Sequence, residues 1–154
     1  MAEDQFVSLK GKIEVPYEWT AGEAPGKFLT ALRDEKKIIG ARCSGCGKVY
    51  VPPQESCGTC FDAKVEYVEV KDRGELVSFT IVHKPLVLVP RPLPAPFALA
   101  LIKLDSADTA MIHYLGEVDI EKIRCGMRVQ AVWKDEREGS VLDILYFKPE
   151  GDVA

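Results

Sequence analysis

The stretch Cys43-Ser44-Gly45-Cys46-Gly47-Lys48-Val49-Tyr50-Val51-Pro52-Pro53-Gln54-Glu55-Ser56-Cys57-Gly58-Thr59-Cys60 decides how the first half of this chain is built. Two Cys-x-x-Cys pairs fall within eighteen residues, and the ten residues from Gly47 to Ser56 separate them. That spacing lets a short hairpin fold back and bring both pairs to one point. Each pair makes a tight knuckle, and four thiolates meeting at a point form a tetrahedral site for Zn²⁺ with no open position. A closed site offers no place for water or substrate. It holds together a segment too small to bury a core. Gly47, directly after Cys46, suits the positive-φ position at which knuckle amides turn toward sulfur.

Other uses of the cysteines fit less well. Two disulfides need an oxidising compartment, and the N-terminal run MAEDQFVSLK has none of the apolar character of a signal peptide. A thioredoxin-like redox pair wants one Cys-x-x-Cys at a helix start in a βαβ unit, which this sequence does not suggest. Iron is the stronger rival. The run from Cys43 to Tyr50 is similar to the first knuckle of rubredoxins, and tetrahedral thiolates accept either metal. The short hairpin departs from the longer rubredoxin spacing, which favours zinc. Cys125 stands apart in Ile123-Arg124-Cys125-Gly126-Met127, and as a free cysteine it is read as a small buried hydrophobe.

At 154 residues the chain suits one medium domain or two small ones. No stretch approaches the roughly 18–20 apolar residues of a membrane span. The formal charge is −4, and four thiolates around one divalent ion lower it to −6. Nonspecific affinity for nucleic acid comes from clustered Lys and Arg, so this balance argues against a nucleic-acid partner although zinc ribbons usually suggest one. The same reading places the protein in the cytoplasm.

Residues 1 to about 22 read as an extended arm in which Val15-Pro16-Tyr17-Glu18-Trp19 carries two large aromatics. The arm reads either as a frayed terminus or as a segment whose aromatics pack on this domain or on a partner. A helix is predicted from about Pro25 to Lys36, with Phe28, Leu29 and Leu32 on one face. Ile38–Arg42 and Lys48–Val51 are strands flanking the first knuckle. From Lys64 the texture is all-β: Val65–Val70, Leu76–Val82, Phe97–Leu104, Thr109–Tyr114, Arg128–Lys134 and Val141–Phe147, separated mostly by polar turns. Gly116–Ile123 is long enough for a helical turn between the fourth and fifth of the main strands. About five strands with a helical insert is the layout of an OB-fold barrel. The expected fold is therefore mainly β: an arm and helix over 1–37, a rubredoxin-like zinc ribbon over 38–68, and an OB-fold β-barrel over 69–150.

In this order, the parts resemble the DUF35 family of zinc-ribbon/OB-fold proteins. The resemblance rests on Arg42-Cys43-x-x-Cys46-Gly47, Pro52-Pro53, Cys57-x-x-Cys60, the strand Gly74-Glu75-Leu76-Val77-Ser78-Phe79-Thr80-Ile81-Val82-His83, Ala98–Asp105 and Gly126-Met127-Arg128-Val129. It covers roughly residues 25 to 149. The loop Pro85–Pro96 departs from it in being longer and richer in proline. The resemblance implies an accessory subunit of a thiolase-type acyl-CoA enzyme, such as the small subunit of a benzoylsuccinyl-CoA thiolase. In such complexes the partner carries the catalytic residues, while this subunit docks on it and helps enclose the acyl-CoA or its CoA moiety.

The remaining residues agree with a noncatalytic role. No Ser/His/Asp arrangement or HExxH motif is visible. His83 and His113 lie in or at the end of predicted strands, where a backbone carbonyl satisfies an imidazole. Glu117 and Asp119 read as turn and helix-start residues. The segment from His83 to Phe97 holds five prolines, which stiffen it and reduce the entropy lost on docking. Its cations, Lys84 and Arg91, are the candidates to meet CoA phosphates. The competing reading is a rigid loop packed on the barrel or on the partner. Two further function classes remain at this point: a single-strand nucleic-acid module, which needs a basic groove with exposed aromatics, and a rubredoxin-like iron electron carrier, which would be coloured.

Overall fold

Ile38–Cys43 (β1) runs straight into the first knuckle, and it is the strand on which the N-terminal part is assembled. The computed structural model describes residues 11, 14–61, 64–84 and 93–151. β1 pairs antiparallel with Val49–Tyr50 (β2) on one side and with Val65–Val70 (β3) on the other, the latter in register from Ile38↔Val70 to Cys43↔Val65. β2 is short because Pro52 and Pro53, which follow after Val51, cannot donate to a ladder. Gly40 in β1 is required by contact. A Cβ there would sit 2.8 Å from Val49 Cγ1 and 3.0 Å from the Tyr50 carbonyl.

The helix begins two residues before its predicted start. α1 spans Glu23–Thr30 and widens into a π-helical stretch over Ala31–Glu35 before Lys36 turns left-handed at φ 57°. Ala24, Phe28, Ala31 and Leu32 form its buried face. Lys27 pairs with Glu23 at 2.7 Å and stands 4.2 Å over the Tyr67 ring of β3. The predicted face of Phe28, Leu29 and Leu32 is therefore the packed one, with Leu29 partly buried against the same core.

The second half is a closed five-stranded barrel. Its strands are Arg73–Val82 (β4), Phe97–Leu104 (β5), Ala110–Leu115 (β6), Arg128–Trp133 (β7) and Ile144–Pro149 (β8), in the cyclic order β4-β5-β6-β8-β7. β6 and β8 are parallel where Leu115 meets Phe147, and a 3-10 turn at Ile120–Lys122 lies between β6 and β7. This is OB-fold connectivity, and closure removes the free edges that an open sheet would expose. Gly74 lets β4 press against β5, for a Cβ there would collide with the Lys103 carbonyl and come within 2.7 Å of Leu104 Cα.

Ribbon, helix and barrel are not separately cored. One apolar cluster runs from Phe28 and Leu32 through Ile38, Val49, Val51 and Val70 to Leu76, Ile102, Val129, Ile144 and Phe147. The turn between β5 and β6 fastens the ribbon to the barrel by imitating a strand. The Val49 amide donates to Asp108 Oδ2 at 2.8 Å, and the Asp108 amide donates back to the Val49 carbonyl at 2.8 Å. Thr109 Oγ1 accepts from the Val51 amide at 2.7 Å and donates to the Val51 carbonyl at 3.0 Å. Two side chains thus complete the ladder that the prolines cut short.

The predicted last strand, Val141–Phe147, starts too early. Val141–Asp143 is a 3-10 turn and β8 begins at Ile144. Ser140 and Asp143 form a capping box, which diverts the chain before the strand begins. Asp143 is fully buried and accepts the amides of Glu138, Gly139 and Ser140 at 3.0, 2.8 and 3.0 Å. Burial works to raise its carboxyl pKa, but the three amides outweigh it, and the group sits below the ordinary carboxylate range. A depressed folded-state pKa means the stabilisation is complete above the unfolded value and is lost as pH falls through the folded one. Asp143→Asn is expected to cost about 2–3 kcal/mol at neutral pH. The gap from wild type in denaturant melts should shrink below about pH 4, where the unfolded carboxyl also takes up its proton.

Candidate metal centre

Cys43 ends β1, Cys46 follows in the turn, and Cys57 and Cys60 come round on the far side of the Pro52-Pro53 bend. The four Sγ atoms lie within 4.8 Å of one another, with Cys46 and Cys57 Sγ 3.6 Å apart. In a tetrahedral zinc–thiolate site with bonds of about 2.3 Å, sulfurs are separated by about 3.8 Å. The four cysteines are positioned for a metal ion. Cys43 and Cys57 are buried, while Cys46 and Cys60 are exposed, so one side of the cluster faces solvent.

The two knuckles repeat each other. In the first, the Gly47 amide donates to the Cys43 carbonyl at 2.9 Å, and Gly47 has φ 76°. In the second, the Phe61 amide donates to the Cys57 carbonyl at 2.8 Å, and Phe61 has φ 54°. Amides aim at sulfur in both. Gly45 donates to Cys43 Sγ at 3.3 Å, and Thr59 and Cys60 donate to Cys57 Sγ at 3.4 and 3.3 Å. Lys48 Nζ bridges the knuckles by donating to Thr59 Oγ1 at 3.1 Å.

Tyr50 from β2 lies under the cluster. Its hydroxyl is 3.2 Å from Cys57 Sγ, and Cys43, Tyr50 and Cys57 form a small buried group of their own. The Tyr50 hydroxyl and the Cys60 and Thr59 amides pull the Cys57 thiol down to about 6, against the effect of burial. Tyr50 shifts the opposite way, its proton held by Cys57, so the phenol stays neutral and donates. Cys60 is pushed up to about 12 by its hydrogen bond with Cys46, by burial, and by Cys57 and Cys43. Four thiols so close cannot all ionise without a cation among them. The donor set fits a divalent ion, and the cluster's own sulfurs supply every ligand. Sequence reasoning missed Tyr50. Its signal is a phenol on the short strand that leads out of the first knuckle.

The other candidate residues do not gather there. Lys84 is exposed beyond the end of β4, beside an exposed His83. Arg91 lies outside the described residues, as does most of the proline loop. His113 is buried: its Nδ1 accepts from the Tyr114 amide at 2.9 Å, which leaves Nε2–H to donate to the Val141 carbonyl at 3.2 Å. That is the carbonyl-satisfied histidine expected of a strand. Glu117 is an exposed turn residue at φ 51°, bonded to Tyr146 and Lys148, and Asp119 caps the 3-10 turn through the Glu121 amide. Cys125 corrects the expectation of burial, for it is exposed. Gly126 turns at φ 86° and its amide bonds the Leu76 carbonyl at 2.8 Å, so the barrel grips the turn through backbone and leaves the cysteine outside.

The barrel's outer face also carries a shallow apolar groove of about 270 Å³, lined by Ser78, Thr80, Leu99, Leu101 and Ile112 among others. β5 is apolar on both faces, the pattern of a strand covered on both sides, yet Ile112 beside it on β6 is 68% exposed.

Comparison with known proteins matches this architecture part by part. The ChsH2 rubredoxin-like zinc ribbon domain matches residues 30–66, and the ChsH2 C-terminal OB-fold domain matches residues 67–134. The chain is thus a zinc-ribbon/OB-fold protein. It belongs to the DUF35 family, whose ChsH2-type domains it carries in order. A DUF35 domain-containing scaffold protein of Methanocaldococcus jannaschii is 29% identical over 126 residues, covering 77% of this chain and 85% of that protein. A second, from Pyrococcus furiosus, is 28% identical over 133 residues, covering 80% and 90%. Among solved structures, a DUF35 protein of unknown function from Sulfolobus solfataricus superposes with a TM-score of 0.61 at 28% identity, covering 84% of this chain and 87% of that one. A chain of the Ltp2-ChsH2(DUF35) aldolase shares the fold, with a TM-score of 0.62 at 24% identity over 85% of this chain and 98% of its own.

Metal binding should be linked to protons. Cys60 is a thiol at neutral pH until a metal displaces its proton, so zinc uptake by stripped protein at pH 7 is expected to release protons. Calorimetry in buffers of different ionisation enthalpy reads that release. Cys46→Ser is expected to lose bound metal and to lower Tm by more than about 10 °C, because metal-binding energy in a ribbon is folding energy.

Proposed function

We propose that this chain is a noncatalytic, zinc-bearing scaffold subunit that docks on a thiolase-type acyl-CoA enzyme and helps enclose the acyl-CoA substrate or its CoA moiety. The observation that carries the reading is the consecutive match of ChsH2 ribbon and OB-fold domains across residues 30–134. Two relatives named as scaffold proteins, and a structural counterpart that forms part of an aldolase complex, support it.

In this reading Cys43, Cys46, Cys57 and Cys60 hold one structural Zn²⁺. Four thiolates leave no coordination position for substrate, so the ion shapes the ribbon and takes no part in turnover. Reduced metal-binding thiols suit the cytoplasm. Residues 38–68 act as the metal-held ribbon, 69–150 as the barrel, and 1–37 as the arm and helix. Lys84 and Arg91 are the cations we assign to CoA phosphates, to which a flexible ammonium and a guanidinium both bind well. Zinc is chosen over iron because the matched domain is a zinc ribbon, and a colourless protein with one zinc per chain is the expected result of metal analysis.

The experiment is purification of the tagged chain from its own cells, with mass spectrometry of proteins recovered in stoichiometric amount. A thiolase-fold acyl-CoA enzyme is the expected companion, and its substrate identifies the acyl group. Recovery of single-stranded nucleic acid or ribosomal proteins, with no acyl-CoA enzyme, would overturn the scaffold reading in favour of a nucleic-acid-binding module.

A further inference from the structure

Phe61 occupies the position in the second knuckle that Gly47 occupies in the first. Both lie four residues after the leading cysteine, both amides bond that cysteine's carbonyl, and both have positive φ. Glycine adopts this conformation freely, whereas a bulky L residue is strained there. Phe61 gains nothing from the fold in return, since it is 87% exposed, the highest value among the large apolar side chains described. Both the backbone geometry and the hydrophobic effect therefore work against phenylalanine at this position in the isolated chain. Of the non-glycine residues described with positive φ (Lys36, Phe61, Ser106 and Glu117), Phe61 alone is apolar, and an exposed apolar ring held on such a backbone points to a role outside the chain.

Its surroundings show what kind of role. The tip about the metal cluster is low in profile: Gly47 and Gly58 have no atom within 4 Å of where a Cβ would be, and Ser44 and Gly45 complete the first knuckle. The Phe61 ring thus projects beside the knuckles from a backbone whose amide is bonded to the Cys57 carbonyl. Such a knob fits a concave apolar pocket, and large, preorganised aromatic side chains are the usual anchors of protein interfaces. The N-terminal arm enters at the same end. Gly22 lies near Glu55, two residues before Cys57, such that a Cβ on it would stand 3.4 Å from Glu55 Oε1, and the preceding segment exposes Tyr17 and Trp19, whose rings stack 5.2 Å apart. With exposures of 73% and 76%, neither ring of this pair is packed on the domain itself.

We propose that Phe61 is the docking anchor of the ribbon: a strained, metal-positioned knob that inserts into an apolar pocket on the acyl-CoA enzyme partner. This rests on the scaffold reading and adds the residue and the surface through which it operates. Phe61→Gly removes both ring and strain, while Phe61→Leu keeps an apolar side chain on the strained backbone.

The test compares the wild type with Phe61→Gly and Phe61→Leu, all zinc-loaded, against the thiolase-fold enzyme recovered with the wild type. Phe61→Gly is expected to keep one zinc per chain and to raise Tm by about 2–4 °C as the strain is released. Its affinity for the partner should fall at least about 30-fold, with Phe61→Leu retaining much of it. A photo-crosslinking benzoylphenylalanine at position 61 should join the partner polypeptide. Unchanged partner affinity in Phe61→Gly, or crosslinks only to a second copy of this chain, would overturn the anchor while leaving the scaffold reading intact. If the wild type recovers no acyl-CoA enzyme, the scaffold reading itself fails, and the anchor with it.

Discussion

The convergence of four sulfurs is the constraint on which the ribbon depends. β2 is two residues long and ends at two prolines, and the loop beyond it has no ladder to hold it. Cys43, Cys46, Cys57 and Cys60 bring the start and end of that loop within one coordination sphere. The charge pattern of the four sulfurs shows why a cation belongs among them. The Tyr50 hydroxyl and the Cys60 and Thr59 amides favour a thiolate at Cys57, while the hydrogen bond with Cys46, desolvation and the neighbouring Cys57 and Cys43 keep the Cys60 thiol protonated. A divalent ion removes that conflict and lets all four sulfurs carry charge.

The ribbon is joined to the barrel by the same economy of means. Apolar residues of α1, the ribbon sheet and the barrel form one core. Asp108 and Thr109 then supply the hydrogen bonds that the proline-terminated strand cannot find within its own sheet. The turn between β5 and β6 thus joins the ribbon to the strands whose outer face carries the apolar groove. Arg128 and Asp105 reinforce this corner with a paired contact at 2.8 and 2.6 Å. The shared core and the four converging cysteines join ribbon and barrel, as the docking role proposed above requires. No helix among the described residues is long and apolar enough to cross a membrane.

Much of this was legible in the sequence because local rules decided it. Cysteine spacing located the ribbon, and alternating or continuous apolar runs located β3 and β5 to the residue. The readings that failed were those in which a contact distant in sequence, or the chemistry of a turn, prevailed. The ladder from Val49 and Val51 to Asp108 and Thr109 spans 58 to 59 residues and has no periodic signature. The shift of β8 to Ile144 follows from a buried aspartate that looks like an ordinary turn acid. Cys125 was expected inside on the general habits of free cysteine, but it lies in a turn that the barrel holds by its backbone. Phe61 gave no signal at all, since its meaning depends on a left-handed φ and on comparison with Gly47.

In the proposed function the metal serves geometry and the partner serves chemistry. Turnover by the acyl-CoA enzyme expected as its companion, measured with this chain added either zinc-loaded or chelator-stripped, separates the two roles. The account predicts that only the loaded chain forms the complex and supports turnover, and that the chain alone turns over no acyl-CoA. Equal complex formation and equal turnover with the stripped chain would contradict it.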